Sequence, residues 1–363
     1  MKILFVTPYF LPHIGGVENY VYNIAKGLKK QFKYEIAIVT SNYENKTYKE
    51  ETLEGMKVYR LPRQFKISNT PISFKWKKQI KKIIEKEKPD VINAHSPVPF
   101  ISDVTARIAH KLKIPFVLTY HAGSMKKGKS LIKNMIINFY ESVILKKTLK
   151  YSDRIVCSSD FVRLNFLRNF SAKTITINPG VDIKKFKPKK NKFKNRILFI
   201  GNFTEEYKWK GLDYLIKAIK ISKDLKLIVV GEGPHQKIKN IEFRGIKKGK
   251  ELIKEIQNCN ILVLPSISEA ESFGMVLIEA MACKKPVIGS NIGGIPYVID
   301  NNKNGLLVPP KDPKALAEAI IKLLKNPKLA KQMGEKGYKK VKENFTWDMK
   351  SKETINIINS LLK

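Results

Sequence analysis

Short apolar segments alternate with amphipathic segments along almost the whole chain. The apolar segments have the length of strands, and those between them have helical periodicity, which is typical of parallel sheets built from βαβ units. Two series of strands are predicted, at residues 2–6, 35–40, 91–94, 116–120, 154–157 and 174–178, and then at 196–200, 226–230, 241–244, 261–264, 286–289 and 305–308. We therefore expect an α/β protein with two doubly wound parallel-sheet domains.

A stretch rich in proline and lysine separates the two series. Residues 178–182 (Asn-Pro-Gly-Val-Asp) and 186–192 carry turn signals and no hydrophobic period, so the hinge between the domains is expected here. The predicted domains are residues 1–182 and 190–345, in line with the roughly two domains expected for a chain of 363 residues. Residues 346–363 have the pattern of one more helix.

The charge balance restricts the partners of the chain. Its 69 lysines and arginines outnumber 32 aspartates and glutamates, which gives a net charge of +37. Such a chain is expected to meet anionic partners, and three classes stay open: a phosphate-bearing substrate, an anionic membrane surface and nucleic acid. A general lysine bias of the proteome is the alternative explanation.

The cysteines and histidines predict no metal site. Cys157, Cys259 and Cys283 are odd in number and far apart, so they indicate neither a disulfide framework nor zinc, and the five histidines lack metal-ligand spacing. The N-terminal apolar run is too short for a secretory signal, and no run reaches 18 apolar residues. We expect a cytoplasmic protein, with peripheral attachment to the cytoplasmic face of a membrane as an open alternative.

Residues 265–282 are the strongest candidate for a ligand site. A buried strand ends at Pro265, a polar loop follows, and helix-forming residues begin at Met275. Free N–H groups at such a helix N-terminus favour an anion such as a diphosphate. Glu271 lies in the loop and Glu279 inside the helix, where carboxylates suit sugar hydroxyls. The alternative is that both are ordinary solvated charges.

Two loops of the first domain are further candidates. Gly15 and Gly16 follow the first strand and let the backbone approach a ligand closely. Their segment is neither a Gly-x-Gly-x-x-Gly fingerprint nor a Walker loop, which argues against a dinucleotide or ATP. His121 follows a buried strand, so its imidazole is expected to project from the strand end; a purely structural histidine is the alternative.

After the Gly15-Gly16 pair and His121 of the first half, several motifs follow one another along the second half. They are Gly201-Asn-Phe, Lys208-Trp-Lys210-Gly211, the Pro-Ser, Glu, Phe-Gly, Val and Glu-Ala-Met-Ala elements of 265–282, Pro286-Val-Ile and Gly293-Gly294. This pattern resembles glycosyltransferase family 4 over nearly the whole chain. The resemblance implies a retaining enzyme of GT-B arrangement, with two Rossmann-like domains facing a cleft and a C-terminal helix, residues 346–363, that returns to the first domain.

The resemblance also implies roles for residues of the donor site. Lys210 would contact the diphosphate of a nucleotide-sugar, Glu279 would accept the ribose hydroxyls, and Glu271 and His121 would hold the sugar, so His121, Glu271 and Lys210 are the predicted catalytic residues. The full predicted donor site is Gly15, Gly16, Asn202, Lys208, Lys210, Gly231, Gly233, Arg244, Glu271, Phe273, Gly274, Met275, Val276 and Glu279.

Two further assignments accompany that site. The acceptor side is predicted to include His13 and His95. Many relatives have arginine where this chain has Asn202, and Lys208 is our hypothesis for the missing positive charge.

The predicted reaction moves a hexose-type sugar from a nucleoside diphosphate to an acceptor, with retention. The chain lacks an Asp-x-Asp signature, so neither a metal nor another cofactor is expected, and Lys210, helix N-termini and backbone amides would stabilise the departing diphosphate. The acceptor is expected to be a sugar, a lipid or a glycan, as in polysaccharide or glycolipid biosynthesis.

Two basic regions of the first domain are candidates for a membrane contact. Residues 74–88 set Trp76, Ile80, Ile83 and Ile84 on one helical face among lysines, and residues 125–150 are also basic and partly apolar. A helix docked on the core with a solvated basic face is the alternative.

Two other functions stay open at this point. A sugar-nucleotide epimerase of GT-B fold is the nearest enzyme alternative. A basic nucleic-acid-binding protein is the other, but only the net charge supports it, because RNP motifs and zinc spacing are absent from the sequence.

Overall fold

Two compact units make up the protein. The structure is a computed structural model that describes residues 1–363 except 14, 44–45, 68–69, 124, 126–130, 190–194, 222–224 and 363, and except the side chain of Lys133. The first unit comprises Met1–Met125, Lys129–Asn178 and Trp347–Lys363, and the second contains Pro179–Thr346. The chain enters the second unit within the expected hinge, of which residues 190–192 lie outside the described residues.

A largely parallel sheet forms the centre of the first unit. The strands of this unit are β1 (Lys2–Thr7), β2 (Glu35–Asn42), β3 (Lys49–Leu53), β4 (Met56–Pro62), β5 (Phe65–Ile67), β6 (Thr70–Ile72), β7 (Val91–Ser96), β8 (Phe116–Tyr120), β9 (Arg154–Cys157) and β10 (Thr174–Thr176). Within the described residues the sheet order is β10-β9-β8-β7-β1-β2-β4-β3, and β5 and β6 form a separate antiparallel pair. Among the strands that the structure describes in this sheet, β3 alone pairs antiparallel, with β4.

The second unit has a six-stranded parallel sheet in its described part. Its strands are β11 (Arg196–Ile200), β12 (Lys226–Val230), β13 (Ile241–Phe243), β14 (Ile261–Leu264), β15 (Val287–Ser290) and β16 (Gly305–Val308). The order β13-β12-β11-β14-β15-β16 is that of a doubly wound sheet. Ile197 and Phe199 pack in one apolar cluster and Leu198 in another, so both faces of the sheet are covered.

Helices cover the sheets. The α-helices are α1 (Gly16–Phe32), α2 (Trp76–Glu87), α3 (Ile101–Leu112), α4 (Leu131–Phe139), α5 (Lys146–Tyr151), α6 (Asp160–Asn165), α7 (Leu212–Lys220), α8 (Gly249–Asn258), α9 (Met275–Ala282), α10 (Ile295–Val298), α11 (Pro313–Lys325), α12 (Pro327–Asn344) and α13 (Trp347–Asn359). A π-helical turn, Tyr140–Leu145, joins α4 to α5. Helix α13 belongs to the first unit and packs against α1. Within the described residues, no helix combines the length and the apolar character that a bilayer span requires.

The apolar face of α2 lies in the core of the first unit. Trp76, Ile80, Ile83 and Ile84 are all buried, and the Trp76 indole donates a hydrogen bond to the carbonyl of Pro62 over 2.9 Å. This face is therefore not available for a membrane contact, which corrects one of the two sequence-based candidates.

The β3–β4 hairpin was not predicted from the sequence. Glu54 and Gly55 connect the two strands, and both have positive φ angles, as the tight turns that fit twisted hairpins require. Strand β3 lies at the edge of the sheet and is mostly exposed, so it has no apolar face for the sequence to reveal.

The strand order of the main sheet of each unit reverses at a topological switch point. It lies between β1 and β7 in the first unit and between β11 and β14 in the second. Ligands of open α/β sheets bind outside the carboxyl ends of the strands at such points. The loops after these strands are therefore where a site is expected in each unit.

Candidate functional site

Lys210 and Glu271 meet at the switch point of the second unit. The Lys210 ammonium lies 3.2 Å from Oε2 of Glu271, and the Ser266 hydroxyl donates a hydrogen bond to the same oxygen over 3.1 Å. Both charged side chains are largely buried. The pair joins the segment after β11 to the loop after β14, although the two residues are 61 positions apart.

The backbone holds these two segments together. Gly211 has a φ of +74°, and a Cβ atom there would overlap the carbonyl oxygen of Pro265. The amide of Ile267 donates to the carbonyl of Trp209 over 2.8 Å, and the Lys210 ammonium lies 4.6 Å from the centre of the Trp209 ring. The position of the Lys210 ammonium is thus set by an ion pair, an aromatic face and a fixed backbone.

A third loop supports Glu271 from the other side. The amide of Gly294 donates to the carbonyl of Glu271 over 2.8 Å. A side chain at Gly294 would overlap the carbonyl of Ser272, so only glycine permits this approach. The Gly293-Gly294 motif therefore positions the carboxylate loop.

Helix α9 follows that loop and carries the second glutamate. Gly274 caps it in the left-handed conformation, and Met275 and Val276 form its first turn. Phe273 is buried and packs edge-on against Phe345 at 5.5 Å between ring centres, so it faces the core of the unit.

Glu279 is buried in α9. Burial raises the pKa of its carboxyl to about 8. Within the described part of the chain, no donor forms a hydrogen bond with this carboxyl group. A buried carboxyl group of this kind can accept hydrogen bonds from the hydroxyl groups of a ligand, because these bonds compensate for the lost hydration.

Asn202 forms part of a turn next to the switch point. Its side-chain oxygen accepts a hydrogen bond from the amide of Glu232 over 3.2 Å. Gly231 approaches the backbone so closely that a Cβ atom would overlap the carbonyl of Gly201, and a Cβ at Gly233 would overlap the ring of Phe203. Asn202 therefore connects the loop after β11 to the turn after β12 by a hydrogen bond, a role that the sequence did not indicate.

Two cationic residues of the predicted donor site form ion pairs with carboxylates that are not part of that site. The Lys208 ammonium is exposed and lies 2.7 Å from Glu205. Arg244 binds Glu242 over 2.8 Å and Glu255 over 2.7 Å. Their roles toward a donor stay predictions.

Two histidines form a hydrogen-bonded pair at the switch point of the first unit. Nδ1 of His95 lies 2.8 Å from Nε2 of His121, and the rings are nearly parallel. Burial lowers the pKa of His121 to about 3, and burial followed by the His121 charge lowers the pKa of His95. His95 is fully buried, so its influence on a substrate would act through His121.

The loop after β1 carries the other predicted residues of this unit. His13 Nδ1 lies 2.8 Å from Glu18 Oε1, and its ring stacks on Tyr9 at 4.7 Å between ring centres. Gly15 precedes α1 in an extended conformation, and Gly16 is its first residue. The acceptor-side roles of His13 and His95 stay predictions.

Three supporting residues were absent from the predicted site. They are Ser266, which donates to Glu271, Trp209, which lies under Lys210, and Glu18, which holds His13. Two of them had a signal in the sequence, Ser266 as part of the Pro-Ser element and Trp209 as a neighbour of Lys210. Among the described residues, no cluster of three or more His, Cys, Asp or Glu side chains has the geometry of a metal site.

Comparison with known protein families gives two matches that together cover most of the chain. The model of glycosyltransferase family 4 matches residues 14–185, and the model of glycosyl transferases group 1 matches residues 181–340. The two matches overlap at residues 181–185, shortly after the division of the units between Asn178 and Pro179.

Individual relatives match over nearly their full length. An uncharacterised glycosyltransferase of Methanocaldococcus jannaschii is 33% identical over 96% of this chain and 95% of its own. The O-antigen chain mannosyltransferase C of Escherichia coli is 28% identical over 100% and 99% of the two chains. The Anabaena protein Alr3699/HepE, solved in complex with UDP-glucose, is 17% identical and superposes with a TM-score of 0.76 over 99% of this chain and 100% of its own.

Proposed function

Since this chain belongs to the group 1 glycosyltransferases and has the GT-B fold, we propose that it moves a hexose-type sugar from a nucleoside diphosphate to an acceptor with retention of anomeric configuration. The observation that carries this proposal is the Lys210–Glu271 pair at the switch point, followed by the unpartnered carboxyl of Glu279 in α9. The comparisons favour neither the epimerase nor the nucleic-acid-binding alternative.

Lys210 is assigned the diphosphate of the donor. Its ammonium is largely buried and fixed in place, so it stabilises a developing negative charge without reorganisation of the site. The first turn of α9 adds backbone N–H groups that point toward the same loop. On this basis we propose that the reaction needs neither a metal nor another cofactor.

The glutamates and His121 are assigned the sugars of the donor. Glu279 accepts the ribose hydroxyls, which supply the hydrogen bonds that its carboxyl lacks. Glu271 accepts hydrogen bonds from hydroxyls of the transferred sugar through Oε1, since Lys210 contacts Oε2. His121 is neutral because burial lowers its pKa to about 3, so it donates or accepts a hydrogen bond without carrying charge.

We propose that attack and departure take place on the same face of the sugar. The bond from the anomeric carbon to the diphosphate oxygen breaks, and the acceptor oxygen forms its bond on that face. The proton of the acceptor hydroxyl passes to the departing phosphate oxygen. Lys210 balances the charge of the diphosphate throughout.

The acceptor is proposed to be a lipid-linked or cell-envelope glycan. The similarity to an O-antigen mannosyltransferase and the net charge of +37 support an acceptor at an anionic surface. The enzyme would then work in the cytoplasm at the inner face of the membrane.

Release of nucleoside diphosphate from a panel of UDP-, GDP- and ADP-sugars tests the proposal. The assay is run with and without membrane lipid extract and with EDTA. We expect one donor to be turned over in EDTA, with stimulation by the extract. Lys210→Ala should lower turnover by at least about 100-fold, whereas Lys217→Ala, a matched exposed lysine over Tyr214, should leave it unchanged.

Two results would contradict the proposal. Donor consumption without a glycosylated product would indicate an epimerase. A product of inverted configuration in NMR spectra, or a trapped covalent glycosyl-enzyme, would exclude same-face attack.

A further inference from the structure

Helix α4 presents an apolar stripe to solvent. Five large apolar side chains on it are between 61% and 80% exposed, namely Leu131, Ile132, Met135, Ile136 and Phe139. Their spacing places them on one face of an α-helix. Soluble monomers rarely expose a contiguous apolar patch of this kind unless it binds something.

The stripe is not needed to attach this segment to its own unit. The π-helical turn after α4 buries Tyr140 and Leu145 in the core, and α5 buries Leu149. These buried side chains attach the segment to its unit without the residues of the stripe. The contrast with α2 is direct, since the apolar face of α2 is fully used by the core and that of α4 is not.

Basic residues follow the stripe along the chain. Lys146, Lys147 and Lys150 are exposed just after it. In the sequence, residues 125–151 contain seven lysines and a single acidic residue, Glu141. An exposed apolar stripe with a cationic border has the composition of helices that lie in the interface of an anionic bilayer.

We propose that the exposed face of α4 docks the enzyme on an anionic lipid bilayer, with its apolar side chains among the acyl chains and the lysines at the headgroups. This deepens the proposed function, because it gives a surface for reaching a lipid-linked acceptor. The docking is tested by binding alone, so its failure is distinguishable from failure of the transferase assignment.

Co-sedimentation with vesicles is the first test. The full chain is mixed at low salt with vesicles of phosphatidylglycerol and phosphatidylcholine, and with pure phosphatidylcholine vesicles. We expect binding to the anionic vesicles, weakened by high salt. A triple variant removes apolar area from the stripe by Leu131→Ser, Ile132→Ser and Ile136→Ser. It should bind the anionic vesicles at least about ten-fold more weakly than the wild type.

Two control variants make the result specific. Serine at similarly exposed apolar positions elsewhere should leave vesicle binding unchanged; these positions are Leu164, Ile221 and Ile246. A second exposed apolar pair in the described part of the first unit, Phe65 and Phe74, is the competing surface. The proposal is overturned if serine at that pair abolishes binding while the α4 variant binds normally, or if the wild type fails to bind.

A probe on the stripe gives a second, independent readout. The three native cysteines are buried, so Met135→Cys introduces one accessible thiol for a polarity-sensitive fluorophore. We expect a blue shift of its emission upon addition of anionic vesicles. A blue shift that instead grows with protein concentration in the absence of lipid would show that a second copy covers the face, and would also overturn the proposal.

Discussion

The carboxyl of Glu279 links ligand binding to pH. Burial raises its pKa from the ordinary 4.5 to about 8, so the folded protein favours the neutral form. The stability that this preference contributes is fully present below pH 4.5 and is lost as the pH rises through 8. A ligand whose hydroxyls donate to the carboxylate favours the ionised form instead. Binding near neutral pH should therefore release a proton.

We expect Glu279→Gln to remove this proton linkage. The affinity of the wild type for the nucleoside diphosphate of its donor should rise, relative to that of the variant, by up to about ten-fold per unit between pH 6 and 8, because one proton is released per complex. Calorimetry in buffers of different ionisation enthalpy measures the proton directly. The idea fails if the wild type and the variant show the same pH dependence.

The buried histidine pair should make the first unit sensitive to acid. The pKa values of His95 and His121 lie below the ordinary 6.5, the latter at about 3. The folded state therefore disfavours protonation of the two histidines. The stability that the neutral histidines contribute above pH 6.5 is lost as the pH falls toward 3. We expect His121→Asn to shift the midpoint of acid unfolding, followed by circular dichroism, to lower pH. The exposed His110→Asn is the control, and equal shifts in both variants would contradict the assignment.

The sequence indicates the type of an element more readily than its partner. The period of residues 74–88 predicted a helix with one apolar face, and that helix is present as α2. Periodicity does not state what covers the face, and here it is the core, whereas the apolar face of α4 stays exposed. For the same reason, the hydrogen bond between His95 and His121 could not be predicted from the sequence. It depends on the β7–β8 register, in which His95 pairs with Thr119.

Helix α13 should depend on a close contact with α1. A Cβ atom on Gly27 would overlap the hydroxyl of Ser351 and lie 2.8 Å from its Cβ. Gly27→Ala should lower the free energy of unfolding by about 1–3 kcal/mol despite the better helix propensity of alanine. Ser351→Gly in the same chain should recover part of the loss, which a double-mutant cycle measures. Additive effects of the two changes would show that the contact does not limit packing.

At the scale of the whole molecule, the first unit is discontinuous in sequence and the second is nearly continuous. The first takes its last helix, Trp347–Asn359, from the far end of the chain. Trp347, Ile355 and Ile358 of that helix are buried. Where the chain enters and leaves the second unit, the amide of Val181 donates to the carbonyl of Phe345 over 2.7 Å, so entry and exit lie side by side.

This arrangement predicts which fragments fold alone. Residues 179–346 contain a sheet with both faces covered, so they should fold as an isolated fragment and bind the nucleoside diphosphate of the donor. Residues 1–178 lack the helix that packs on α1 and should be unstable or aggregate. Joining residues 1–178 to 347–363 through a short Gly-Ser linker should restore a cooperative thermal transition, because the exchange points are adjacent. A stable fragment 1–178 without that helix would show that α13 is dispensable for the core of the first unit.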